Sequence, residues 1–383
     1  MFNIDVQDFC LNNTTNYGGS VGGETKNIDE IAGIISSRIF DELGWKVQET
    51  TDISWDCCLR SHLSSKQLLS ETPKKTHPTD VVFKYKDPYS DETQYIQTDL
   101  KSYCASTLDG TQSILRTIRS LSQQVACAPR SPEWRRLFID NTNEKYQVNG
   151  LLFIYNHDNE YDSNLLAKLS GAATAVYDFP EKSMISVFDP TMIRFLLDVT
   201  ENIETRRYIT DKVSQEKNIL WQKIPERDAC SYFYPDKHNK IATKGEILPA
   251  TMEMITSGMI FYSYEHDYIR NDDGDRLKNK VLNIFWKENV DSSSHFVFLL
   301  EYIFNYQLLN QFDKIFIITP FSIHANIHLQ SAINEYMGIY SFTQSHIETL
   351  KSKIFSIPFV NQKLSIFEYQ VASKQINRKC HFS

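Results

Sequence analysis

The chain has 383 residues, which suggests two or three packed units at roughly 150 residues per domain. Its 41% hydrophobic and 23% charged residues are those of a folded globular protein and exclude fibrous or disordered sequence. With 40 basic against 48 acidic residues the net charge is −8, so a chain-wide cationic wrapper of nucleic acid is excluded and any nucleic-acid surface must be local.

No apolar run reaches the ~18 residues of a membrane span. The greasiest stretch, 296–309, is interrupted by Glu301 and Asn305, and the first residues carry acids where a secretory signal needs a basic end. A cytoplasmic protein without a membrane partner is expected. The seven cysteines include adjacent Cys57 and Cys58 but no C-x-x-C pair. That pattern argues against a disulfide framework and against a structural zinc, and predicts reduced thiols.

In chain order, a Gly-rich segment at 18–23 lacks the Gly-Lys-Ser/Thr ending of a phosphate-cradling loop. Ile28, Ile31, Ile35, Ile39 and Leu43 then recur at helical spacing, with Asn27 as N-cap and Gly44 as the residue after the C-cap. A strand is expected at 45–53, a polar insertion with a short helical stretch at 63–69, and two further strands at 79–86 and 94–103. A second amphipathic helix covers 113–126, followed by a buried-type strand at 150–156, a strand at 184–188 and a helix at about 191–204. Beyond Arg207 the sequence turns polar and Tyr-rich, then reads as a long helix at 292–310 and a strand at 314–319. The expected division is 1–206 and 207–383, the second part a further α/β or α+β domain.

The strands at 79–86 and 94–103 form a hairpin. If Asp87-Pro-Tyr-Ser-Asp-Glu92 is its turn, Lys86 pairs with Thr93 and Asp80 falls opposite Asp99. Alternation puts Asp99 and Lys101 on one face and Ile96, Thr98 and Leu100 on the other. Facing carboxylates repel unless a cation lies between them. Mg²⁺ suits two carboxylates plus waters and phosphate oxygens, and Lys101 is placed to orient water or stabilise charge on a phosphoryl group. Phosphodiester hydrolysis fits that set.

The residues Pro78-Thr-Asp80 and Asp99-Leu-Lys101, in an αβββαβ order, resemble the PD-(D/E)XK, or restriction-endonuclease-like, nuclease superfamily over about 24–160. Thr79 between Pro78 and Asp80 departs from the family pattern. The resemblance implies a mixed central sheet flanked by helices, Asp80 and Asp99 as ligands of Mg²⁺ or Mn²⁺, and Lys101 as catalytic lysine. It also implies a further carboxylate on the first helix, for which Glu30 is the best placed residue. Glu30 equally reads as the N3 member of a capping box with Asn27.

Between 116 and 136 stand Arg116, Arg119, Arg130, Arg135 and Arg136 against Glu133 alone, a local excess of positive charge. Arg116, Arg119, Arg135 and Arg136 are candidates for phosphate contact, and Gln123 and Gln124 reach the site or face solvent. His324 and His328 at i,i+4 lack the following Glu of a zinc-hydrolase helix. The aromatic clusters at 261–268 and 302–306 read chiefly as core. The expected function is a metal-dependent nuclease acting on DNA, with structured RNA such as tRNA left open. The resemblance further implies a prokaryotic anti-phage defence effector that works as a homo-oligomer or with an activating partner. The competing class is a catalytically silent nuclease-like module that binds nucleic acid or protein.

Overall fold

The computed structural model describes residues 24–63, 72–141, 143–172, 180–208, 223–240, 247–270, 275–340 and 343–359. The Gly-rich segment and most of the expected helical stretch at 63–69 lie outside them. The chain divides into two compact units. The described residues of the first fall in 24–86 and 92–194, those of the second in 87–91 and 195–359.

In the first unit α1 (Glu24–Glu42) begins three residues before Asn27, so Asn27 is not its cap and Glu30 lies inside the helix, not at N3. Its end follows the sequence reading. Gly44 adopts φ +86°, its N–H bonds Asp41 O at 3.0 Å and the Trp45 N–H bonds Phe40 O at 2.8 Å, the paired closure that a left-handed glycine makes possible.

The expected strand at 45–53 is broken in two, β1 (Lys46–Val47) and β2 (Ile53–Asp56), with Asp52 at φ +54°. The next expected strand, at 79–86, is found as β4 (Val81–Lys86), but an unexpected strand β3 (Thr76–Thr79) precedes it, because the chain bends at Asp80 and changes partners. β3 pairs with β2 in a separate two-stranded sheet. β4 pairs with β5 (Thr93–Tyr103) in the register inferred from the turn, Lys86 opposite Thr93 and Val81 opposite Thr98. After the short α2 (Ala105–Leu108) come α3 (Thr111–Cys127), α4 (Pro132–Phe138) and β6 (Tyr146–Asn156). α5 (Leu165–Ala172), β7 (Ile185–Phe188) and α6 (Pro190–Tyr208) follow, and the division between the units falls within α6.

The main sheet runs β1-β4-β5-β6-β7, antiparallel at its first two junctions and parallel at its last two. Its two faces are covered by different helices. On one, Phe40 of α1 stacks on Trp45 at 4.6 Å between ring centroids and meets Phe83 and Phe153. Such aromatic pairs each contribute about 0.5–1.5 kcal/mol beyond their buried area. On the other, Ile114, Leu115 and Leu121 of α3 pack with Leu152 and Ile154 of β6. The close approach is made at Gly150, where a Cβ would stand 2.9 Å from Val125 Cγ2.

The second unit holds β8 (Cys230–Tyr232), α7 (Met252–Thr256), β9 (Met259–Arg270) and β10 (Asp275–Trp286). It continues with α8 (Ser293–Asn305), α9 (Leu308–Gln311), β11 (Lys314–Thr319), α10 (Ala325–Ile339), α11 (Gln344–Lys353) and β12 (Ile354–Pro358). Its sheet runs β12-β11-β10-β9-β8, with parallel pairing of β10, β11 and β12 and antiparallel pairing of β8, β9 and β10. The long helix expected at 292–310 is interrupted at Gln307, which takes φ +54°. Phe261 and Tyr302 stack inside this core at 5.5 Å, the packing role expected of the aromatic clusters.

Candidate active site

β5 carries Asp99 and Lys101 on the α3 side of the sheet. Asp99 pairs in register with Leu152, one of the residues under α3, so it points away from α1. Asp80 stands one residue beyond the β4–β5 ladder, at the bend between the two sheets, and its Oδ2 accepts the N–H of Leu100 at 2.7 Å. A side chain therefore continues the pairing where the backbone leaves it.

Lys101 joins these groups. Its ammonium bonds Asp99 Oδ1, lies 3.6 Å from Asp80 Oδ2 and donates to the carbonyl of Leu100 at 3.0 Å. Three oxygens thus converge on one positive charge. Burial pushes the Asp99 carboxyl up to about 6, opposed by the Lys101 charge and reinforced by Asp80. Burial acts to lower Lys101, but Asp99 and Asp80 outweigh it and hold the ammonium above the ordinary lysine range. The donor set, two carboxylates and a carbonyl already collected about a cation, suits a hard divalent ion of the Mg²⁺ or Mn²⁺ type.

Behind Asp99 on the same face lies a buried polar network that the alternation pattern did not reveal. Gln97 donates to Thr79 Oγ1 and to Gln124 Oε1, each at 2.9 Å, and its own Oε1 accepts from Trp134 Nε1 at 2.9 Å. Trp55 Nε1 adds a bond to Thr79 Oγ1 at 2.8 Å. Strands β2, β3 and β5 and helices α3 and α4 are thereby tied together just behind Asp80 and Asp99. Gln123 and Gln124 are both buried, so the solvent-facing alternative fails for each.

α4 begins on the cap Ser131, whose Oγ accepts the Trp134 N–H, with Pro132 at the first helical position. Arg135 and Arg136 on α4 and Arg116 on α3 are exposed, while Arg119 is half-buried and partnered. The side chain of Glu30 lies outside the described residues; the described part of α1 covers the face opposite Asp99. His324 and His328 meet edge-on, ring centroids 6.1 Å apart.

The structure also assembles residues far apart in sequence. Ligand atoms of Cys57, His62, His77 and Cys127 all lie within 4.8 Å of one another. Burial, helped by Lys74 and His62, lowers His77 to about 3 and keeps its ring neutral at physiological pH. Lys74, lowered by burial, is within electrostatic reach of Asp99, Cys57 and Cys127 and donates to Ser120 Oγ at 2.9 Å.

A mixed sheet flanked by helices is consistent with the PD-(D/E)XK fold. Residues 21–192 match the family model of the GAPS4 protein PD-(D/E)XK nuclease domain, and this segment belongs to the PD-(D/E)XK nuclease superfamily. No curated protein and no solved structure matches the chain. Among the described residues no helix is long and apolar enough to cross a membrane.

Proposed function

We propose that the chain is a metal-dependent nuclease that hydrolyses phosphodiester bonds through Asp80, Asp99 and Lys101. The convergence of Asp80 Oδ2, Asp99 Oδ1 and Leu100 O on the Lys101 ammonium supports this reading above all. Asp80 and Asp99 are the residues that would hold Mg²⁺ or Mn²⁺. Bound there, the ion supplies Lewis-acid polarisation of the phosphoryl group and acidification of a water.

The chain's own residues do the rest. The Leu100 N–H fixes one Asp80 oxygen at the edge of the site. Lys101, kept charged by its two carboxylates, stabilises negative charge on the phosphoryl oxygens as the scissile bond breaks. The Gln97 network holds β3 and β5 rigid behind the carboxylates, so they need no rearrangement during reaction. Arg116, Arg119, Arg135 and Arg136 supply sequence-independent phosphate contacts that position a strand.

DNA is the favoured polymer, with structured RNA as the alternative. The biological reading is a cytoplasmic effector of anti-phage defence, as a homo-oligomer or under an activating partner, with residues 207–383 selecting substrate or partner. Incubation with plasmid DNA, single-stranded DNA and total RNA, each in Mg²⁺, Mn²⁺ or EDTA, tests the reading and names the polymer. Loss of one polymer only when metal is present supports it. Binding without cleavage under every metal condition favours the silent-module alternative.

A further inference from the structure

We propose that Cys57, His62, His77 and Cys127 form a second metal centre, a structural Zn²⁺ site distinct from the carboxylate site. Two sulfurs and two imidazole nitrogens are the donor set of a closed, tetrahedral structural zinc, whereas Mg²⁺ and Mn²⁺ prefer oxygen.

Two of the ligand pairs already stand at the spacing a zinc ion needs. Zinc bonds of about 2.3 Å to sulfur and about 2.0 Å to nitrogen place tetrahedral ligand atoms roughly 3.3–3.8 Å apart. Here His62 Nδ1 lies 3.4 Å from Cys57 Sγ and 3.2 Å from His77 Nε2, and the whole set falls within 4.8 Å. One proton bridges only two of the three donors gathered at His62 Nδ1, while a cation engages every lone pair. His77 is fully buried with its Nε2 turned to His62 Nδ1, and among the described residues its Nδ1 has no hydrogen-bond partner.

The placement gives the ion a structural task. His77 lies on β3, which ends at the bend bearing Asp80, and Trp55 packs on its ring at 4.7 Å between centroids. Cys127 is the last residue of α3, and Cys57 and His62 belong to the segment that follows β2. Coordination clamps β3 and that segment to the end of α3, on the side of the sheet where Asp99 lies. Cys58, exposed and with Sγ 3.0 Å from Cys127 Sγ, is the neighbour left out of the set.

Elemental analysis of the full chain, purified without chelator from zinc-supplemented cells, is the test. One zinc per chain is expected, kept in Asp99→Ala and in Cys58→Ser and lost in Cys57→Ser, which alters a half-buried thiol and spares the fold better than removal of buried His77. Wild type itself supplies a second readout: exchange into Co²⁺ should give tetrahedral ligand-field bands and a thiolate-to-cobalt charge-transfer band. Zinc far below one per chain in wild type, zinc kept in Cys57→Ser but lost in Asp99→Ala, or a Cys58–Cys127 disulfide in protein isolated under thiol-trapping conditions would each overturn the proposal.

Discussion

Asp80 and Leu100 are joined by a carboxylate-to-amide hydrogen bond of 2.7 Å at the point where the β4–β5 ladder ends. The hairpin delivers Asp80 to the side of Asp99, the bend frees its side chain from the ladder, and the amide fixes one of its oxygens. Both carboxylates then share the charge of Lys101.

Metal should stabilise the protein through these carboxylates. Added Mg²⁺ or Mn²⁺ is expected to raise the melting temperature of wild type, since a ligand at 100 times its Kd adds about 2.7 kcal/mol. Asp99→Ala should abolish the shift while leaving the zinc content unchanged. An equal shift in both proteins would place metal binding elsewhere.

Gln97 is fully buried and serves three partners. Gln97→Leu strands the groups of Thr79, Gln124 and Trp134 and should lower the unfolding free energy by about 2–4 kcal/mol, measured by urea denaturation. Loss of less than about 0.5 kcal/mol, the range of an ordinary surface substitution, would show that the network does not brace the site.

The hairpin was legible in the sequence because a Pro-containing turn set its register and alternation then fixed which side chains shared a face. The break at Asp80 was not. The strand expected at 79–86 runs straight through Asp80, and nothing local announces that residues 76–79 form a strand of their own in a different sheet. Asp52 and Gln307 likewise interrupt expected elements with left-handed backbone at residues that carry no glycine signal. The Cys57, His62, His77 and Cys127 cluster escaped for another reason: its ligands come from a loop, a strand and a helix end, and tertiary structure alone gives them a common centre. Gln97 shares the Asp99 face by alternation, and only the packing of Trp134 and α3 shows it to be interior.

The arginine surface should bind phosphate without reading sequence. Arg116→Gln and Arg135→Gln, both at exposed positions, are expected to weaken nucleic-acid binding evenly across sequences. Each should reduce the slope of log affinity against log salt by about 1 for every phosphate contact removed. An unchanged slope in both would assign the binding surface to other residues.

Gly150 permits the approach of α3 to the face of the sheet on which Asp99 lies. Gly150→Ala should force Val125 and Leu121 outward and cost about 1–3 kcal/mol, as overpacking does. Thermal unfolding checks this directly, and an unaltered melting temperature would mean that the helix shifts freely.

The most direct test of the account is the cleavage rate of Lys101→Ala beside wild type, with Mg²⁺ and on the polymer that wild type degrades, after circular dichroism has shown both to be folded. Loss of an electrostatic stabiliser of this kind should slow the reaction by about 10²- to 10³-fold. A folded Lys101→Ala protein that cuts as fast as wild type would contradict the assignment of this site.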